Sequence, residues 1–268
     1  MTSFAVDVRL VRATARAFLL RWASNPIMLI RSPLIPILLL VSFHFVYRAT
    51  GQDRVGGQDV MGFLVIGMLA TLAWTAAVWG SGNALQSEIY AGTIGAVIVA
   101  PGRTPAVILG YGLGSIIWDL PGLAACLAVG IPLGAHFDIA DPAAAAICLV
   151  AIYLSTLAIG VAFGGLFILS RQSNAMSNFL QGPIYLLAGF YVPRSSLPGW
   201  LEKVSDVLPI AYAVDAMRRT ALSGESLSDV WRPLLAMAAT SMLFLFAAVW
   251  SMSRLDHAVR RSGTLDLL

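Results

Sequence analysis

The sequence predicts an all-helical integral membrane protein with six transmembrane helices. Of its 268 residues, 58% are hydrophobic and 12% are charged, whereas about a quarter of the residues in a soluble domain are charged. The mean hydropathy is +0.80. A bilayer core about 30 Å thick requires about 20 apolar residues per helical span, and stretches of about this length occur at six places in the chain.

The six predicted spans belong to a single membrane domain covering residues 1–268. Asp119 and Pro121 are expected to break the third span, and Arg171 ends the fourth. No internal repeat supports the inverted-repeat architecture of many secondary transporters. The spans cover about residues 27–47, 60–82, 104–131, 143–169, 174–192 and 233–253.

Residues 1–25 are predicted to form an amphipathic helix before the first span. Apolar residues recur there at three- and four-residue steps, while Arg9, Arg12 and Arg16 share another face. This pattern is typical of a helix that lies at the interface between lipid and water. A solvated helical arm is the alternative interpretation.

The chain between the second and third spans is predicted to be a compact loop with helical character. Its uncharged run, residues 89–102, is too short to cross a bilayer and ends at Pro101 and Gly102. Residues 84–102 therefore do not form a further span.

Two short amphipathic helices are predicted between the fifth and sixth spans, starting near Pro198 and Pro209. Asp215 and Arg219 are four residues apart and are spaced to pair on one helix face. Four charged residues of these helices are expected to remain in water: Asp206, Asp215, Arg218 and Arg219.

The distribution of basic residues predicts that both termini face the cytoplasm. With six spans, the termini, residues 84–103 and the turn at Arg171 share one side, which holds ten Lys or Arg against seven on the other. Cytoplasmic flanks carry the excess of basic residues, and those of the first helix usually decide orientation. The net charge of +3 is spread along the chain, so nucleic acid is not an expected partner.

The sequence lacks the motifs of an ATP-hydrolysing subunit. A P-loop requires GxxxxGK[ST], and the one lysine, Lys203, lies in the unrelated segment LPGWLEK. HExxH and GxSxG motifs are also missing. Cys126 and Cys148 lie in apolar segments without metal-binding spacing. We therefore expect no catalytic residue, metal site or cofactor in this chain.

Two segments carry motifs with a specific order and spacing. LQSEIYAGT at residues 85–93, followed by Ala100-Pro101, comes after the second span; LPGWL at 197–201, LPIAYAVDAMR at 208–218 and Gly224 come before the last. They resemble the motifs of type-2 ATP-binding-cassette (ABC) export permeases, in particular the daunorubicin-resistance-like branch. With the amphipathic N-terminus and six spans, the resemblance covers nearly the whole chain.

This resemblance implies the membrane subunit of an ATP-driven exporter in the bacterial inner membrane. Its cargo would be a hydrophobic or amphipathic compound, such as a drug or antibiotic. ATP and Mg²⁺ would bind a separate ABC ATPase present in two copies, and the permease would pair with a second copy or a paralogue among membrane lipids.

The resemblance also assigns candidate sites. A cytoplasmic coupling helix would lie near residues 84–96, with Glu88 as its polar anchor, although Ile89, Tyr90 and Ala91 replace the charges usual beside it. The ATPase-coupling candidates are Gln86, Ser87, Glu88, Tyr90, Gly92 and Thr93. The paired helices before the last span would be external and re-entrant, and their candidate residues are Trp200, Pro209, Tyr212, Asp215 and Arg218.

Asp119 is the acidic residue within an otherwise uncharged predicted span. A carboxylate near the bilayer centre costs about 2.5 to 3.5 kcal/mol, so Asp119 should face protein or water, as a polar point on the pathway or as a satisfied packing group. Trp74 and Tyr185 are further pathway candidates, unless they are interfacial anchors. Paired small residues, Gly110 with Gly114 and Gly160 with Gly164, predict close helix packing within the chain.

The sequence is also compatible with two other transport functions and with one function that involves no transport. The exporter would instead move a lipid or lipid-linked glycan. An ion-coupled secondary transporter would work without an ATPase and would use Asp119. A membrane scaffold or sensor would stimulate no partner ATPase.

Overall fold

The computed structural model describes residues 3–52, 54–90, 92, 104–167 and 173–262. Within them, two antiparallel two-residue strands, Arg54–Val55 and Gln58–Asp59, are the exception to a helical fold. The described helices are α1 (Ser3–Ala23), α2 (Pro26–Ala49), α3 (Val60–Thr75), α4 (Ala84–Tyr90), α5 (Thr104–Gly130), α6 (Pro142–Phe167), α7 (Ser173–Leu187), α8 (Gly199–Ser205), α9 (Pro209–Leu222) and α10 (Leu227–Ser262). The third helix continues as a π-helix, Ala76–Gly82, and a 3₁₀ turn covers Arg194–Ser196.

Five helical segments of the described chain are long and apolar enough to cross a membrane: Pro26–Ala49, Val60–Gly82, Ala106–Gly130, Pro142–Gly164 and Leu227–Trp250. The protein is therefore an all-helical, multi-pass membrane protein, as predicted. The predicted fifth span, 174–192, overlaps α7 at residues 174–187, and α7 has 15 residues. At 1.5 Å per residue this helix is about 22 Å long, which is short of a bilayer core of about 30 Å.

Three helices begin, end or continue differently from the sequence-based expectation. The described part of α7 ends at Leu187, where Gly189 turns the chain with a φ of +73°. α10 starts before residue 233: the Ser226 backbone N–H and hydroxyl both donate to the Asp229 carboxylate, at 3.0 and 2.6 Å, and this contact back from the first turn caps the helix start. Asp119 and Pro121 do not break α5, which is continuous around them.

Helix α3 and its π-helical extension form the centre of the fold. In the apolar window of this span 94% of residues are buried, compared with 11% in α2 and 6% in α10. The outer helices expose large apolar side chains, such as Phe45 on α2 and Phe246 on α10. These apolar faces suit contact with lipid, because no polar solvent is present in a bilayer core.

The paired glycines of α5 and α6 permit close helix packing within the chain, as predicted. A Cβ at Gly110 would lie 1.7 Å from the Thr14 hydroxyl oxygen, and one at Gly160 would lie 2.6 Å from the Ala77 carbonyl oxygen. The first contact brings α1 against α5, where Phe18 is buried. Helix α1 is therefore packed on the protein and is not a free solvated arm.

The charged residues around α9 differ from the sequence-based expectation in two ways. Arg218 is only 7% exposed and does not remain in water. Arg219 forms an ion pair with Glu225 at 2.6 Å rather than with Asp215, which is exposed. The cause is the turn after α9, at Gly224 (φ +66°), which returns Glu225 toward the end of the helix.

Candidate transport cavity and coupling helix

A cavity of about 680 Å³ lies among α1, α2, the α3 span, α4, α5 and α7. Its wall mixes aromatic, apolar and polar groups. The aromatic lining residues are Phe18, Trp22, Trp79, Tyr90, Trp118 and Tyr185. The uncharged polar lining residues are Ser32, Thr71, Thr75, Asn83, Gln86, Ser87, Ser115, Asn174, Asn178 and Gln181. The volume lies within the range of about 300 to 1,000 Å³ typical of small-molecule sites.

Two of the three predicted pathway residues, Asp119 and Tyr185, line this cavity. Trp74 does not: its side chain is fully buried and packs edge-on against Phe163, with ring centroids 6.0 Å apart. Trp79 lines the wall instead. It lies in the π-helical segment, whose wider turn changes the direction of the side chains that follow α3. The uncharged sequence of this span carries no signal for that change.

Asp119 is 8% exposed, and its Oδ2 atom has no hydrogen-bond partner within the described chain. Arg31 also lines the cavity but is exposed. Among the described residues Asp119 forms no ion pair; the pairs Arg194–Asp206 and Arg219–Glu225 lie elsewhere in the fold. Asp119 therefore enters the wall as a buried carboxylate that is not neutralised by an ion pair.

Helix α4 contains most of the predicted coupling residues and joins the cavity to the protein surface. Gln86 and Ser87 line the cavity, whereas Tyr90 both borders it and is 68% exposed. Glu88 accepts a hydrogen bond from the Tyr111 hydroxyl of α5. Gly92, which follows the helix, adopts a φ of +69° that favours glycine. The remaining coupling candidate, Thr93, lies outside the described residues.

The π-helix connects α4 to the helices around the cavity. Asn83, at its end, donates to the Ser177 hydroxyl of α7 at 3.0 Å and to the Val78 carbonyl at 3.1 Å. Neighbouring glycines allow α5 and α6 to approach it: a Cβ at Gly112 would lie 2.1 Å from the Ser81 hydroxyl oxygen. Helix α4 therefore contacts α5 directly, and Asn83, the residue before α4, bonds to α7; both helices are walls of the cavity.

Comparison with known families identifies the family of this chain. The model of the ABC-2 type transporter family matches residues 9–222. This chain belongs to the ABC-2 type transporter family. The match contains the motifs at 85–93 and 197–218 and confirms the predicted family. ABC-2 permeases are membrane transport subunits that normally work with an ABC ATPase.

Curated relatives of this ABC-2 permease are remote in sequence. It is 23% identical over 195 residues to the daunorubicin resistance ABC transporter permease protein DrrB1 of Streptomyces coeruleorubidus, covering 72% of this chain and 68% of the relative. It is 24% identical over 209 residues to ABC transporter G family member 20 of Dictyostelium discoideum, covering 75% and 28% respectively. It is 24% identical over 191 residues to the probable multidrug ABC transporter permease YbhR of Escherichia coli K12, covering 68% and 50%.

The external-helix candidates of the permease are distributed between surface and core. Trp200 of α8 is 68% exposed, Pro209 is buried at the start of α9, and Tyr212 contacts the Arg194 guanidinium at 5.4 Å from its ring centroid. Asp215 is exposed. Arg218 is different from the others because its charge is inside the protein.

The Arg218 guanidinium donates to the carbonyls of Gly189 at 2.6 Å and Phe190 at 2.9 Å. It also lies 3.5 Å from the ring centroid of Phe63 in α3. Burial lowers the pKa of this guanidinium, while the carboxylate of Asp215 acts in the opposite direction. Arg218 thus holds the turn after α7 against α9 and α3.

The position of Arg218 in the apolar stripe of α9 was a signal that sequence reasoning missed. Ile210 and Val214 are buried and precede it at intervals of four residues, so helical spacing places all three on one face. The charge alone led to the expectation of an exposed side chain.

Proposed function

We propose that this chain is the membrane subunit of an ABC exporter that moves a hydrophobic or amphipathic, drug- or antibiotic-like compound out of a bacterial cell. The observation that carries this proposal is the position of α4, which lines the cavity with Gln86 and Ser87 and exposes Tyr90 at the surface. The names of two relatives, a daunorubicin resistance permease and a probable multidrug permease, support this class of compound.

The proposed topology has six crossings in the inner membrane and two cytoplasmic termini. The fifth crossing covers about residues 174–192, most of which belong to α7. Helices α8 and α9 lie on the external side and re-enter toward the bilayer. The basic residues of the N-terminal arm support this orientation, because such residues favour the cytoplasmic face.

The proposed complex contains two permeases, either two copies of this chain or this chain and a paralogue, with two ABC ATPase subunits. ATP and Mg²⁺ bind the ATPases, and this chain binds no cofactor. The docking residues are those on α4 and directly after it: Gln86, Ser87, Glu88, Tyr90, Gly92 and Thr93.

In the proposed mechanism, ATP binding closes the ATPase pair and moves α4. The Glu88–Tyr111 hydrogen bond carries the movement to α5, and the Asn83–Ser177 hydrogen bond carries it to α7. Both helices line the cavity, so their displacement changes its access from one side of the membrane to the other. This is a rigid-body switch driven by a differential contact.

The direct test is ATP-dependent export in inside-out vesicles that contain the permease and its co-purified ATPase. Glu88→Arg should abolish most transport, because it removes the acceptor of the Tyr111 hydroxyl and reverses the charge on α4. Glu202→Arg is the matched control, since Glu202 is exposed on α8. Unchanged coupling in Glu88→Arg would remove Glu88 from the mechanism.

Asp119 favours one competing function, an ion-coupled secondary transporter, because membrane-embedded carboxylates serve such carriers. That carrier would accumulate substrate under an ion gradient in vesicles without any ATPase. The exporter should be inactive under those conditions and active once ATP and the ATPase are supplied.

A further inference from the structure

We propose that the cavity binds an organic cation with an apolar body and that Asp119 is its counter-ion within a single permease subunit. This inference rests on the proposed export function and narrows the class of compound carried. It follows from the charge, hydrogen bonding and surroundings of the Asp119 carboxylate.

The first observation is the missing partner of Asp119. Other carboxylates of the described chain are bonded where they stabilise the fold: Asp59 accepts from the Gly62 N–H at 2.7 Å, and Asp141 accepts from the Ala143 and Ala144 N–H groups at 3.0 Å. Asp119 is about as buried as a core residue, yet its Oδ2 accepts no hydrogen bond within the described residues. A carboxylate that only held helices together would have its acceptors filled.

The second observation is the chemistry of the wall around this carboxylate. Trp79, Trp118 and Tyr185 line the same cavity, and aromatic faces attract cations as well as apolar surfaces. A carboxylate removed from water interacts more strongly with a cation than an exposed one does. The combination selects a positive charge attached to an apolar body over a small hydrated cation.

Arg31 would instead favour the binding of an anionic compound in the cavity. It is the basic residue among the described lining residues, and it would attract an anionic compound. Arg31 is exposed, however, whereas Asp119 is buried, so water screens the arginine more than the aspartate. The cavity should therefore prefer a cation over an anion of the same size and shape.

The test uses tetraphenylphosphonium and tetraphenylborate, which have nearly the same shape and opposite permanent charges. Binding of each ion to the full chain in lipid nanodiscs is measured by equilibrium dialysis, with empty nanodiscs subtracted. The native chain should bind the cation more tightly than the anion. Asp119→Asn should weaken cation binding by at least about tenfold, since a buried charge pair contributes more than an exposed one, without weakening anion binding.

Two controls separate recognition from folding. Glu202→Gln removes an exposed carboxylate away from the cavity and should leave cation binding unchanged. Asp119→Glu keeps the charge and should retain most binding. If Asp119→Asn does not fold, the native chain still decides the matter, because equal or tighter binding of the anion overturns the proposal.

The result of this binding test can be distinguished from the result of the export test of the proposed function. Cation binding that does not depend on Asp119 overturns this inference even if ATP-driven export occurs. Asp119-dependent binding without ATP-driven export by any ATPase complex contradicts the exporter and leaves the cation site in place.

Discussion

Two buried ionisable residues of this permease, Arg218 and Asp119, have opposite surroundings. Arg218 is 7% exposed, donates to two carbonyls of the turn after α7, and lies over the ring of Phe63. Asp119 is 8% exposed, has an unpartnered Oδ2 within the described chain, and faces a cavity of about 680 Å³. Arg218 and Asp119 are therefore similarly buried, but their side chains are suited to different roles.

In the proposed mechanism, this difference separates a part of the molecule that holds its shape from a part that binds the substrate and moves. Around Arg218 the backbone of three segments is held together, and Tyr47 of α2 adds a hydrogen bond to the Tyr191 carbonyl at 2.5 Å. Around Asp119 the cavity walls include α5 and α7, which are bonded to the segment at α4 through Glu88–Tyr111 and Asn83–Ser177. Substitutions in the first region should lower stability, whereas those in the second should lower transport.

Arg218→Met is expected to have the largest effect on stability. It leaves the carbonyls of Gly189 and Phe190 buried without their donor, and each buried unsatisfied group costs about 1 to 3 kcal/mol. We expect a loss of about 3 kcal/mol or more, measured by thermal unfolding in detergent. Arg219→Met, at the neighbouring half-exposed ion pair, should lose at most about 1 kcal/mol. Equal losses of stability in the two variants would show that Arg218 contributes no more to the fold than Arg219 does.

Gly67→Ala should be the next most destabilising change, because it intrudes on the same region. A Cβ at Gly67 would lie 2.0 Å from the Phe190 carbonyl oxygen, which also accepts from Arg218. Overpacking of this kind costs about 1 to 3 kcal/mol. Gly199→Ala is the matched control, since a Cβ there meets nothing within 4 Å. If Gly67→Ala is as stable as the native protein, the turn after α7 can shift to accommodate the added Cβ at little cost in free energy.

Tyr111→Phe tests the moving region by removing the hydroxyl that donates to Glu88. The loss of stability should be about 0.5 to 1.5 kcal/mol, the net contribution of one hydrogen bond. ATP-dependent export should fall more than ATP hydrolysis by the assembled complex, because the link from α4 to α5 is broken. Parallel falls in export and hydrolysis would assign Tyr111 to folding alone.

Asp119→Asn should have the smallest effect on stability. The native carboxylate has an unfilled acceptor, so replacing it removes no bonded partner of Oδ2. We expect the melting temperature to stay the same or rise, corresponding to a gain of zero to about 1 kcal/mol. A clear loss of stability, measured as for Arg218→Met, would make Asp119 a packing group.

Much of the fold was predictable from the sequence because apolar run length directly reflects bilayer thickness. The spans from α2, α3, α5, α6 and α10 all appeared as long runs with few charges. The amphipathic N-terminus was also visible, but its packing on α5 depends on contacts such as Gly110 with Thr14. Such contacts join residues far apart in sequence.

The candidate site was predictable only where one residue carried the signal. Asp119 was recognisable as a charge within an apolar span, and the segment containing Glu88 was recognisable from its motif. The choice of Trp79 over Trp74 for the cavity depends on a π-helix that the apolar pattern does not specify. The buried position of Arg218 required helical spacing to be given more weight than charge.

The side of the membrane that α4 faces can be measured by cysteine labelling. Tyr90→Cys is treated with a membrane-impermeant thiol reagent in intact cells and in inside-out vesicles; native Cys126 and Cys148 are buried, and the native chain measures their background. If α4 lies on the cytoplasmic side, Tyr90→Cys should be labelled in inside-out vesicles and protected when the ATPase is bound. Labelling of Tyr90→Cys from the outside of intact cells would contradict this placement of α4.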